Sequence, residues 1–165
     1  MDTQIEYNLS LKEILNQVLE INNLGRVINP ERPGIIRKRL LKALVIALEE
    51  YKNLDGASVQ TKDIAAFIAL TLTAISQTAE MTALAWEKRD YWIKADRFRD
   101  EWIWVSTYGN RMQAAVLDGN YSLIHATATD ILGFLNDIEL PKRHRLGTPW
   151  IGAYQVLKKN SGDTR

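Results

Sequence analysis

The sequence predicts an all-α protein: an up-down four-helix bundle built on a long central antiparallel hairpin, with short accessory helices at the N- and C-terminal ends. Three observations predict it. Apolar residues recur at alternating steps of three and four over most of the chain, the period of a helix face. No run of alternating β-branched residues occurs, and no Asn-Gly or Asp-Gly turn joins two such runs. Glycine and proline fall at a few places only and cut the chain into pieces of helical length.

Ser10 and Glu13 have capping-box spacing, and Leu11, Ile14, Leu15 and Val18 follow as an apolar stripe, so a first helix is expected over 10–24, stopped by Gly25. Pro33, after a Pro/Gly-rich loop, suits the first position of a second helix, where a missing N–H costs nothing. That helix should run to about Asn53 on a face of Leu40, Leu41, Leu44, Val45, Leu48 and Tyr51. Thr61 is the expected N-cap of a third helix, with Ala65, Ile68, Leu72, Ile75, Ala79, Thr82 and Trp86 as its heptad seam. Trp92, Ala95, Phe98, Trp102, Val105, Gly109, Met112 and Val116 form a second seam, out of phase with the first.

A single straight helix over 62–117 would be ~80 Å long. The phase slip near Lys88-Arg89-Asp90-Tyr91 instead predicts a tight turn there, with Asp90 a candidate N-cap. Asp118-Gly119-Asn120 marks the next turn. A fifth helix carries Tyr121, Ile124, Ala128, Ile131, Leu135 and Ile138 and should run until Pro141 stops it. Thr148-Pro149-Trp150 has the pattern of an N-cap followed by an N1 proline, predicting a last short helix to about Lys159. Residues 1–165 thus read as one domain.

Composition excludes several functions. The 165 residues are 46% hydrophobic and 25% charged, ordinary for a protein with a sizeable core. A formal net charge of +1 gives no global field that selects nucleic acid or an anionic surface. Cysteine is absent, which rules out disulfides, thiolate metal sites and a cysteine nucleophile, and suits the reducing cytoplasm. The stretch from Met1 to Glu6 has no basic or apolar run, so a secretory signal is not expected. His125 and His144 are the two histidines, and neither follows a glutamate by three residues as di-iron bundles require. Phosphate loops, nucleophile elbows and zinc motifs are missing. No catalytic residue, metal or cofactor is expected.

Glu80 is the only charged residue between Ile64 and Trp86. A carboxylate inside a buried helix is costly unless paired or protonated. One reading makes Glu80, with Gln77, Thr78, Thr82 and Trp86, a ligand site for a small apolar or pigment-like molecule in the bundle interior. The other puts Glu80 on a wet edge or against an arginine; Thr73 and Gln77, each one turn earlier than the next, trace such an edge. The third helix also has the length of a membrane span, but Glu80, Gln77, Ser76 and four threonines argue against insertion, and no membrane is expected as a partner.

Residues 86–104 hold four of the five tryptophans, and their charges cancel, five basic against five acidic. Asp90–Lys94 and Arg97–Glu101 have i, i+4 spacing for ion pairs. Trp102 and Trp104 sit about 200° apart around a helix, so they cannot share one seam. Tyr91, Trp92, Trp104 and Arg97 are therefore candidates to anchor a protein partner, since these residue types dominate binding hot spots. The alternative has the surplus tryptophan covered by the first or last helix.

Two basic clusters, Arg37-Lys38-Arg39 with Arg32 and Lys42, and Lys142-Arg143 with Arg145, would hold an anion or nucleic acid if they converged, though a solvated surface is the commoner explanation of such clusters. No aromatic residue interleaves with Arg37-Lys38-Arg39, and nucleic acid is not the expected partner.

The stretch Ala85-Trp86-Glu87-Lys88-Arg89-Asp90-Tyr91-Trp92, continuing through Lys94-Ala95-Asp96-Arg97-Phe98-Arg99, resembles small helical proteins of unassigned function from cyanobacteria. The resemblance covers that stretch only and implies no activity. The expectation from the residues is a non-enzymatic protein-protein interaction or scaffold domain, self-associating as a homodimer. Small-ligand binding in the interior is the alternative, and nucleic-acid binding through the basic clusters a second.

Overall fold

The computed structural model describes residues 32–139, 144 and 146–162. The helix expected over 10–24 and the basic residues Lys142, Arg143 and Arg145 lie outside the described residues. The described residues form five helices and no strand: α1 (Pro33–Lys52), α2 (Val59–Glu87), α3 (Trp92–Leu117), α4 (Tyr121–Phe134) and α5 (Ala153–Gly162). They make an all-α helical bundle.

Pro33 opens α1 as expected, and the helix closes with the Asn53 N–H donating to the Glu50 carbonyl and the Leu54 N–H to that of Tyr51. The start of α2 differs from expectation. Ser58 is the N-cap, its hydroxyl accepting from the Thr61 N–H at 3.1 Å. Thr61 lies inside the first turn and donates its own hydroxyl to the Gly56 carbonyl at 2.8 Å, closing the preceding loop. Two hydroxyl residues three apart are both chemically fit to cap, and the one nearer the loop does so.

Helix α2 is the centre of the bundle. Every residue from Ile64 to Leu72 is buried, as are Ala74, Ile75, Thr78, Ala79 and Ala83. Its most extensive packing is against α3, then α1, then α5. Buried threonine hydroxyls are absorbed by the helix itself: Thr71 donates to the Phe67 carbonyl and Thr78 to that of Ile75, each at 2.7 Å. This helix has the length and apolarity of a membrane span, but 72% of the relevant window is buried within the bundle. That burial is what a core helix shows.

The α2–α3 and α3–α4 turns are built alike. At the end of α2 the Tyr91 N–H donates to the Trp86 carbonyl and the Asp90 N–H to that of Glu87. At the end of α3 the Asn120 N–H donates to the Ala115 carbonyl and the Gly119 N–H to that of Val116. This bond pair closes a helix around one left-handed residue. Gly119 takes that role with φ 66°, and Asp90 takes it with φ 64°. Asp90 is therefore the left-handed stop of α2 and not the N-cap of α3, a position that Tyr91 holds.

Beyond that turn α2 and α3 run antiparallel: Arg99 meets Glu80, and farther from the turn Gly109 meets Leu72. The approach at Gly109 is close, since a Cβ there would lie 3.2 Å from Leu72 Cβ. Asn120 caps α4 through the Leu123 N–H. That helix ends at Phe134, short of the expected stop at Pro141. Gly133 and the pair Asn136-Asp137 favour leaving the helix, and the turn that follows still buries Leu135.

The last helix starts later than expected, at Ala153, because Thr148–Gly152 form turns. Its first turn is capped from another element. The Asp63 carboxylate on α2 accepts from the backbone N–H of Gly152 and of Tyr154, each at 3.1 Å. Trp150, Ala153 and Leu157 join the main core, with the Trp150 ring edge-on to Phe67 at 6.3 Å. So α5 helps build the core and is no mere accessory.

Candidate functional site

The i, i+4 ion pairs expected around the hairpin turn do not form. Charges there are organised across the two arms instead. Arg99 donates from Nη2 to Glu80 Oε1 at 2.8 Å and from Nε to Glu80 Oε2 at 2.9 Å. Its Nη1 bonds to Glu87 and, at 3.4 Å, to Asp96. Hydrogen bonding to Arg99 holds the Glu80 carboxyl below its ordinary range, against a smaller opposing effect of burial, and the two carboxylates push the Arg99 guanidinium up. Lys94, expected to pair with Asp90, sits over the Trp86 ring with Nζ 4.4 Å from its centroid.

The predicted ligand set is thereby split. Glu80 is half-exposed and faces the hairpin edge, not the interior. Thr73, Gln77 and Glu80 follow one edge of α2, as the wet-edge reading has it; Gln77 Oε1 is buried there without a partner. The Thr78 carbonyl and the Thr82 hydroxyl instead meet Arg37 of α1, while the Trp86 ring packs edge-on against Phe98 of α3.

Arg37 is half-buried in a cage. Its Nη1 donates to the Thr78 carbonyl and to Thr82 Oγ1, both at 3.2 Å. Its guanidinium carbon lies 5.0 Å from the Phe98 ring centroid and 5.1 Å from that of Trp102. Desolvation lowers its pKa, partly offset by the field of Glu101. The charge itself persists, because a guanidinium does not deprotonate in proteins.

Beside this cage opens a cleft of about 860 Å³ at the N-terminal end of α1. Arg32, Arg37, Lys38 and Arg89 line it, with Trp86 and Trp102 as walls and no acidic side chain among the described residues. Sequence reasoning assigned Arg37 and Lys38 to an anion site and Thr82 and Trp86 to a ligand site; the packing of α1 on α2 makes them one place. Arg89 and Trp102 complete the site and were missed as members of it. Arg39 does not line the cleft.

The predicted partner set is also divided. Tyr91, Trp92 and Ile93 form the tip of the hairpin and are 57%, 58% and 71% exposed, far more than large apolar side chains usually are. With Asp90, Lys94 and Arg97 they border a shallow cleft of about 560 Å³. Trp104 lies elsewhere: half-buried, it stacks on Phe134 of α4, centroids 4.5 Å apart and planes 3° from parallel. Helix α4 covers that face of the ring; the expected first helix lies outside the described residues.

A third cleft, about 670 Å³, lies between α1 and α4 and includes Tyr51, Tyr121 and His125. His125 packs its ring 6.3 Å from that of Tyr51. No group of three or more His, Asp or Glu side chains fit to hold a metal ion occurs among the described residues. No protein-family model matches the chain, and no curated protein or solved structure does either.

Proposed function

We propose that the protein is a non-enzymatic interaction module of the cytoplasm that pairs with a second copy of itself through the α2–α3 hairpin tip. The observation that supports this reading is the run Tyr91-Trp92-Ile93, three consecutive large side chains all more than half exposed. The capping turn at Asp90 fixes the backbone that carries them, so little conformational freedom is lost on binding. Aromatic residues and arginine are the side chains that dominate interface energetics.

The tip also carries both signs of charge, Lys88, Lys94 and Arg97 beside Asp90 and Asp96. A two-fold interface places one patch against itself and needs self-complementary charge. Three apolar side chains are a small contact, so the pairing belongs in the weak class below ~1,200 Å² of buried surface. The resemblance of residues 85–99 to small cyanobacterial helical proteins brings no activity with it, and the reading rests on the tip.

Sedimentation velocity over a concentration series tests the proposal. The wild-type chain should shift from monomer to dimer with a Kd on the order of 10 μM to 1 mM. Trp92→Ala combined with Ile93→Ala should remain monomeric throughout. A wild-type chain that stays monomeric to the top of that range overturns it.

A further inference from the structure

We infer that the cleft at the N-terminal end of α1 binds a small amphiphilic anion, a carboxylate carried on an aromatic body. The argument starts from Arg37. A guanidinium withdrawn from water between two rings is costly unless its charge is matched. Its partners are neutral, a carbonyl and a hydroxyl, both bound by Nη1. No carboxylate among the described residues lies within ion-pair distance of it; Glu101 acts on it only as a distant field.

Two donors of Arg37, Nε and Nη2, thus have no protein acceptor among the described residues. Nη2 faces Gly34: a Cβ at that position would sit 3.7 Å from it. Glycine adds no side chain beside that nitrogen on the cleft wall. A carboxylate is the acceptor that suits a guanidinium edge, because two parallel N–H donors match its two oxygens.

The surroundings favour the same charge. Arg32, Lys38 and Arg89 share the cleft with Arg37, and no acidic residue lines it among the described residues. Helix α1 begins there with no acidic residue in its first turn and no side-chain cap. The positive end of a helix dipole opposes cations and favours an anion. Arg32, Arg37 and Lys38, near that positive end, are stabilised by a bound negative group.

The body of the ligand follows from the walls. Trp86 and Trp102 stand in the cleft with Ile35, Leu41 and Ala85. The Trp102 indole N–H is buried with no acceptor among the described residues. At about 860 Å³ the cleft falls in the range of ~300–1,000 Å³ typical of small-molecule sites. A bare oxyanion leaves most of that space and both indoles unused, whereas an aromatic ring fills it by stacking.

Isothermal titration of the full chain with 1-naphthaleneacetate tests this, alongside the near-isosteric neutral alcohol 1-naphthaleneethanol and inorganic phosphate. The acid should bind saturably at one site and quench tryptophan fluorescence. Its affinity should exceed those of the alcohol and of phosphate by about tenfold or more. Arg37→Met should abolish binding. Because that variant also removes packing against Phe98 and Trp102, Lys38→Ala combined with Arg89→Ala is the second test: both side chains are exposed, so the fold is kept while affinity falls about fivefold or more. The Trp92→Ala/Ile93→Ala chain should bind the acid as the wild type does, which separates this site from the hairpin tip. Absence of saturable binding up to about 5 mM overturns the inference. So does equal binding of the alcohol, equal binding of phosphate, or unchanged affinity in the Lys38/Arg89 variant.

Discussion

Arg99 on α3 grips the Glu80 carboxylate on α2 with two nitrogens at once, 2.8 Å and 2.9 Å, while its third nitrogen bonds to Glu87. A guanidinium fork on a carboxylate fixes direction as well as distance. The pair therefore sets the register of one hairpin arm against the other, at a site wet enough that its energy is modest.

Its pH dependence has a definite sign. The Glu80 carboxyl is held below its ordinary range by the Arg99 hydrogen bond, so the pair stabilises the fold above the unfolded carboxyl pKa of about 4.3. The contribution is lost as pH falls through the lower native value. Glu80→Gln should thus lower Tm slightly and evenly from about pH 6 to 8, and the gap should close as pH falls below the ordinary carboxyl range. A gap that widens in acid contradicts the pairing. Thermal melts by circular dichroism across pH measure it.

Gly109 gives a second prediction. A Cβ there would meet Leu72 Cβ at 3.2 Å and the Thr73 nitrogen at 3.8 Å. Gly109→Ala gains about 0.8–1.0 kcal/mol of helix propensity and gives back a similar amount in crowding, so its stability should stay within about 1 kcal/mol of wild type. Gly109→Val adds two further methyl groups at the contact and should destabilise by about 2 kcal/mol or more. Urea denaturation of the two variants separates the outcomes. Equal stability of both would mean that the arms do not meet at this residue.

How much of this was legible depends on how local the cause is. The seams at Ile68, Leu72 and Ile75, and at Val105, Gly109 and Met112, are periodic in sequence and became the buried faces of α2 and α3. Pro33 and the Gly119 turn were equally plain, because each acts within a few residues. Arg37 was not. Its burial is imposed by Phe98 and Trp102 from a distant helix, and arginine in sequence reads as surface. The halves of the cleft, Arg37 with Lys38 and Thr82 with Trp86, were visible separately; their meeting needs the α1–α2 packing. Trp102 and Trp104 were correctly read as unable to share a seam, but only the fold shows one against Arg37 and the other against Phe134.

Asp63 caps a helix that begins far along the chain, accepting from Gly152 and Tyr154. Asp63→Ala removes both bonds and leaves two N–H groups of the first turn of α5 without this partner. Loss of a cap costs about 0.5–2 kcal/mol, and here the effect should localise. Amide exchange of residues 153–162 should accelerate more than that of α2 or α3, because α5 loses its tether to α2. Uniform acceleration over all helices would show that α5 does not open independently.

The two left-handed stops invite a reciprocal exchange. Asp90 and Gly119 close their helices with nearly the same φ, 64° and 66°, and the same bond pair. A left-handed conformation costs an L-residue about 1–2 kcal/mol, and aspartate bears that better than most. Asp90→Gly relieves the strain but also frees the unfolded chain, which takes back about 0.4–1 kcal/mol. The net expectation is a gain of about 0.5 kcal/mol. Gly119→Asp runs the same exchange backward and should cost a similar amount, since a Cβ at Gly119 meets nothing within 4 Å. Asp90→Val, β-branched at the same φ, should cost more than either change gains. It should also loosen the backbone under Tyr91, Trp92 and Ile93, seen as faster amide exchange at the tip and weaker self-association. Opposite signs for Asp90→Gly and Gly119→Asp in chemical denaturation support the shared geometry. Equal signs would mean that the two turns, alike in bond pattern, are held by different forces.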